Sequence, residues 1–208
     1  ETDVASRFTV GLALEELGAF ELDVRCVADE WLAACELMRV AGSVALPYPL
    51  AERILALDGA WLAVVDPAAP MIDHAALAES WIAATLTGET YTATALADEQ
   101  RRKLAPFVRA VSLESSSIVL PASDVDRWLV LGAWHVLGSI EAALGQVTAH
   151  VKTRVQFGKA SSEFHAVRFA LADAVVTVRG LSELTWFSAW WQMTVGGSVA
   201  RGCGFVCW

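Results

Sequence analysis

Positive charge is scarce in this chain of 208 residues. Lys and Arg total 15 against 24 acidic residues, for a net charge of −9. The basic residues are scattered apart from Arg101-Arg102-Lys103. No electrostatic footprint for a phosphate backbone is present, which excludes nucleic acid as the expected partner. Cysteine is also sparse. Cys203 and Cys207 have a metal-like spacing, but no second ligand pair accompanies them, and Cys26 and Cys35 complete the set. No metal site is expected, and the thiols read as reduced, in a cytoplasmic setting. No secretory leader is visible, and the initial Glu1 points to a natural start further upstream. No internal repeat and no low-complexity tract appears. The uncharged run Trp128–Ile140 is too short to span a bilayer, and Leu184–Ala200 is interrupted by Thr185, Ser188, Gln192, Thr194 and two glycines. Both read as buried helix, and no membrane partner is expected.

Apolar surface, by contrast, is abundant. Hydrophobic residues make up 55% of the chain, mean hydropathy is +0.46, and there are nine tryptophans. Such a composition fits a helix-rich protein whose buried surface is shared with another subunit.

Four regions are expected. Residues 1–57 read as a helical part, with Trp31, Ala34, Leu37 and Met38 at helical spacing and a break at Pro47-Tyr48-Pro49. Residues 58–121 read as a small β-containing middle region. Its expected strands are Trp61–Val65, Trp81–Thr85, Glu89–Ala93 and Ser117–Leu120, with a helical interlude near Glu99–Leu104. Residues 122–195 read as a C-terminal helical domain, and 196–208 as an atypical tail. Within the third region, Ser123 is the expected cap of a long helix running to about Thr153. A turn at Arg154–Ala160 follows. Ser161-Ser162-Glu163 opens a second helix with Phe164, Val167, Leu171, Val175, Val178 and Leu181 on one stripe. The two helices form an antiparallel hairpin. The histidines offer no metal pair: His135 and His150 are too widely spaced on one helix, and His74 reads as a surface residue.

The bend carries the chemistry. Arg154, at the end of a helix, presents a planar fork suited to phosphate oxygens. Gln156 can donate and accept, Phe157 offers a flat apolar face, and Gly158 allows backbone angles closed to other residues. Taken alone, the pattern is also that of a surface arginine beside a core phenylalanine.

The run Lys152-Thr153-Arg154-Val155-Gln156-Phe157-Gly158-Lys159, with Phe164-His165 and Leu171-Ala172-Asp173 after it, resembles the flavin-binding segment of the acyl-CoA dehydrogenase family. The match runs from about Leu129 to Leu184. The resemblance implies a mainly α fold with a reduced β-domain and a C-terminal helical bundle. It also implies FAD as cofactor, with Arg154, Gln156, Phe157 and Gly158 contacting the FAD of a neighbouring subunit. His165 stands where the family carries glutamine and keeps a donor and an acceptor. The family desaturates an acyl-CoA thioester between its α and β carbons. A carboxylate takes the α proton, and the β hydride passes to the flavin. Counted back from Arg154, the place where some members hold that base falls near Trp128. Asp126 is the nearest acid, and its other reading is a residue satisfying helix-start amides. The reduced domains resemble the small subunits of heteromeric steroid acyl-CoA dehydrogenases. Expected partners are an acyl-CoA substrate, a homo- or hetero-oligomer with another acyl-CoA dehydrogenase subunit, and an electron-transfer acceptor. The alternative is a non-catalytic structural partner in such an assembly.

Overall fold

A computed structural model describes residues 2–96 and 107–195. The expected helical interlude, the basic triplet, the paired cysteines near the C-terminus and the tail lie outside the described residues. Helices α1 (Thr2–Glu16), α2 (Ala28–Ser43) and α3 (Leu50–Ile54) come first. Five strands follow: β1 (Trp61–Val64), β2 (Met71–Asp73), β3 (Trp81–Ala84), β4 (Thr90–Ala95) and β5 (Val108–Ser115). The long helix α4 (Ala122–Thr153), a two-stranded ribbon of β6 (Val155–Gln156) and β7 (Lys159–Ala160), and α5 (His165–Val195) complete the described chain. The fold is mainly α with a small sheet, as the sequence implies.

The sheet runs in the order β1-β3-β4-β5-β2, with β1 and β3 parallel and the other pairs antiparallel. β3 is buried along its whole length, which fits its unbroken apolar sequence Trp81-Ile82-Ala83-Ala84. Two expectations fail here. Ser117–Leu120 is not a strand. Its backbone is held by side chains instead: Thr90 Oγ1 donates to the Ile118 carbonyl at 2.8 Å, and Ser116 Oγ accepts from the Ile118 amide at 3.1 Å. His74 is buried, not on the surface. It adopts a left-handed φ of 56°, meets Arg7 Nη1 at 2.8 Å and stacks on Phe107 at 5.3 Å.

The helical core forms where α2 packs across α4. Trp31, Ala34, Cys35 and Met38 are buried with Val130, Leu131 and Trp134 in one cluster, and Leu137 on α4 is fully buried. The crossing is tight because it uses glycine on both helices. A methyl group on Gly42 would overlap the His135 carbonyl, and one on Gly138 would overlap that of Arg39. Beside the crossing, Ser139 Oγ donates to the Gly42 carbonyl at 3.0 Å, and Arg39 grips Glu141 with two bonds of 2.7 and 3.0 Å. Burial pushes the Cys35 thiol up, so it behaves as a small apolar side chain.

The start of α4 differs from the expected cap. The helix begins at Ala122 after Pro121, with no side-chain cap. Ser123 Oγ instead accepts from Arg127 Nη1 at 2.7 Å. Next to it the fully buried Asp124 accepts from Arg127 Nη1 at 2.9 Å and from Arg25 Nε at 3.0 Å. Arg25 also donates to the Leu55 carbonyl at 2.8 Å. One carboxylate therefore ties α4 to the chain before α2 and after α3.

By length and composition α4 could cross a membrane. In this fold only part of it is covered: Leu129, Val136, Ile140 and Val147 stay exposed. The expectation of a buried helix fails for that face.

Candidate functional site

The bend between α4 and α5 is a β-hairpin, because Val155 pairs with Ala160 and Gln156 with Lys159. Two residues connect the strands. Phe157 has φ +52° and Gly158 has φ +79°. Positive angles at both positions define a type I′ turn, which suits the twist of a two-residue hairpin. Glycine adopts this freely, whereas phenylalanine does so at a cost of about 1–2 kcal/mol.

Among the described residues nothing offsets that cost. Phe157 is 94% exposed, and its ring meets that of Phe164 edge-on at 6.5 Å. Arg154 is exposed one strand position before Val155, and its amide closes α4 on the His150 carbonyl at 2.9 Å. Gln156 projects beside Arg154, since residues two apart on a strand share a face. With its amide oxygen turned toward the guanidinium, Gln156 accepts from Arg154 Nη2 at 2.8 Å and Nε at 3.3 Å. Among the described residues no carboxylate pairs with Arg154. Lys159 rests 4.7 Å from the centre of the Phe164 ring. The tip thus presents two cations and an open aromatic face.

The second helix begins later than its sequence implies. Ser161–Glu163 forms a 3-10 turn, and α5 starts at His165. Glu163 Oε1 accepts from the Ala160 amide at 3.1 Å, so this acid closes the hairpin and does not lead the helix. His165 is exposed on the first turn of α5 and stacks on Phe169 at 6.4 Å. Arg154, Gln156, Phe157, Gly158 and His165 are therefore all at one end of the hairpin.

Asp126 is at the other end. The rise of α4 puts it about 40 Å from Arg154. It is exposed, at the mouth of a groove of about 470 Å³ between α4 and α5. Leu129 and Val130 line one wall, and Phe187, Ser188, Trp191 and Gln192 the other. Asp126 takes no part in capping, because the helix starts four residues earlier.

A carboxyl that the sequence reading passed over reaches Trp128. Glu52 on α3 is half-buried, and its Oε1 accepts from Trp128 Nε1 at 3.3 Å. Burial pushes its pKa up to about 7, with a smaller push from Asp73. In sequence, Glu52 is one acid beside Arg53 in a short helix, and nothing local marks it. Only the packing of α3 on the start of α4 desolvates it. Among the described residues no group of His, Cys, Asp and Glu could hold a metal ion.

The helical hairpin is also what known proteins share with this chain. Residues 123–201 match the family model described as acyl-CoA dehydrogenase, C-terminal domain. Over that stretch this chain is similar to the acyl-CoA dehydrogenase C-terminal domain. The fold agrees. A variant of the Tcur3481-Tcur3483 steroid ACAD superposes with a TM-score of 0.66 at 17% identity, over 85% of this chain and 66% of that one. The ChsE4-ChsE5 complex from Mycobacterium tuberculosis gives 0.54 at 17% identity, over 80% and 62%. Both likenesses show an acyl-CoA dehydrogenase-like fold, and the chain spans no more than 66% of either relative. No curated protein sequence matches it.

Proposed function

We propose that this chain is a subunit of an FAD-dependent acyl-CoA dehydrogenase, acting with another such subunit to desaturate an acyl-CoA thioester. The observation that carries this reading is the bend. Among the described residues, Arg154 has no acidic partner, Phe157 holds a costly backbone angle with its ring in the open, and nothing lies within 4 Å of a Cβ on Gly158. A flat, diphosphate-bearing cofactor supplies what each of them lacks. FAD, when bound, supplies the acceptor for the β hydride. Arg154, oriented by Gln156, would hold the diphosphate, and Phe157 and His165 would cover the cofactor.

The α proton needs a carboxyl of raised proton affinity in a water-poor place. Asp126 is open to water, while Glu52 has the raised affinity. Either acid is a helix length from Arg154, which supports sites shared between two chains. Reoxidation calls for an electron-transfer acceptor. The first neighbour's description as a steroid ACAD supports a steroid side chain, beside a fatty acyl chain, as the acyl group. The reduced thiol of the buried Cys35 supports a cytoplasmic setting. The exposure of Asp126 favours a second reading, a non-catalytic structural partner.

Flavin absorbance of the purified chain, alone and with a co-encoded homologue, tests the proposal. A flavin spectrum in the assembly is expected. Colourless protein in both preparations removes the enzyme reading and leaves the structural one.

A further inference from the structure

The described acids that are not fully exposed are Glu30, Glu36, Glu52, Asp124 and Glu141. Folding gives guanidinium groups to Asp124, shared by Arg25 and Arg127, and to Glu36 and Glu141, which both meet Arg39. Glu30 accepts from the Asp23 amide.

Glu52 differs. Arg53 beside it turns elsewhere, to Glu15 at 2.8 Å and to the Tyr48 hydroxyl at 2.8 Å. Among the described residues no cation pairs with Glu52, and its side-chain partner is the neutral indole N–H of Trp128 at 3.3 Å. Burial, and to a smaller extent the like charge of Asp73 on β2, favours its protonated form. Strand β1 adds no titratable side chain, and the charges at the start of α4, Asp124 and Arg127, answer each other. A shielded carboxylate without a counter-cation weakens the fold and holds protons strongly.

Its place suits a ligand. Helix α3, strand β1 and helix α4 each touch the other two. Glu52 on α3 and Trp128 on α4 thus stand where the helical part meets the sheet, and substrate clefts favour such junctions. The carboxyl is only half-buried, so one side stays open to a ligand. Trp128 holds Oε1 through its N–H and offers a flat apolar wall beside it.

We infer that Glu52 is the base that takes the α proton of the thioester, and that Trp128 is its positioning residue. In this step the Cα–H bond breaks, the proton binds a Glu52 oxygen, and the electron pair stays on the thioester as its enolate. The α,β double bond forms from that pair when the β hydride leaves for the flavin. The thioester comes from the proposed function, on which this role rests. Proton transfer by itself needs no oxidant, so it can be read apart from the flavin.

The test is hydrogen exchange at the α carbon of octanoyl-CoA in deuterated water, read by mass, with the full chain purified beside its co-encoded homologue. Wild type is expected to exchange, at a rate that rises with pH through about 7 as Glu52 loses its proton. Glu52→Gln should lower that rate at least about 100-fold with the helical circular dichroism retained. Trp128→Phe removes the N–H that favours the charged carboxyl, so the rate profile should move to higher pH. A merely structural tryptophan would leave the profile where it is. A wild-type assembly that exchanges no α hydrogen overturns the inference. So does exchange that survives Glu52→Gln, or that Asp126→Asn abolishes in its place. Should Glu52→Gln fail to fold, an unmoved profile in Trp128→Phe overturns it. Exchange that depends on Glu52 in a colourless assembly keeps the base and removes the flavin reading instead.

Discussion

Gly42 and Gly138 lie on opposite helices at a single crossing, and neither has room for a methyl group. The obstruction in each case is a backbone carbonyl of the facing helix, which cannot swing aside as a side-chain tip can. Gly138→Ala should therefore cost about 1–3 kcal/mol or more through forced separation of α2 from α4. Gly145, on the same helix, has nothing within 4 Å of the added carbon. Gly145→Ala should stabilise by up to about 1 kcal/mol through helix propensity. Urea denaturation of the two variants reads the opposite signs.

Asp124 and Asp126, two residues apart, should behave quite differently. Asp124→Ala leaves Arg25 and the buried Arg127 without their shared carboxylate, and a loss of about 3–5 kcal/mol is expected. Asp126→Ala, at an exposed position, should change stability by no more than about 0.5 kcal/mol. Equal losses in thermal melts would contradict the buried cluster.

Glu52 makes stability depend on pH in an unusual direction for an acid. Its folded pKa of about 7 lies above its ordinary value of 4.5. The folded state thus prefers the protonated carboxyl. The contribution is fully present below pH 4.5 and is lost as pH rises through 7. Glu52→Gln keeps the shape and removes the titration. It should stabilise the protein at pH 8 relative to wild type, by at most about 3 kcal/mol, and show little difference at pH 4. A wild-type minus variant difference that is flat with pH would contradict the desolvation of Glu52.

At the bend, Phe157→Asn should relieve backbone strain, because Asn-Gly is a favoured type I′ pair. A gain of up to about 1 kcal/mol in stability is expected. Under the proposed function the same change should loosen flavin retention, so stability and cofactor affinity move in opposite directions. Arg154→Ala should also loosen FAD in the assembly, by about 1.5–3 kcal/mol, through loss of a charge-assisted contact. Unchanged affinity in a flavin titration would remove Arg154 from the cofactor site.

Much of the architecture was legible because it rests on local patterns. The 3.6-residue period marks α2 and α5, and the unbroken apolar run at Trp81 marks the central strand. The Arg154–Gly158 sequence marks the bend. Strand β5 was legible too, since Val111 and Leu113 alternate with Ser112 and Glu114, but it was passed over for the more apolar Ser117–Leu120. That run has apolar residues without alternation, and its backbone bonds go to side chains of Ser116 and Thr90. The errors at His74, Ser123 and Glu163 share a cause. Each polar side chain satisfies a partner that folding brings to it: Arg7, Arg127 and the Ala160 amide.

Sequence alone determined the helical hairpin, its reversal at Phe157-Gly158 and the apolar spacing of both helix faces, because each depends on residues within a few turns of one another. Tertiary structure decided which of those faces is covered, which carboxyl is desolvated and which is left open to water. Burial is a property of the space between elements, and no local stretch of chain encodes it. Hence Glu52 and Asp126 look alike in sequence, yet the packing of α3 against α4 shields Glu52 while Asp126 stays exposed.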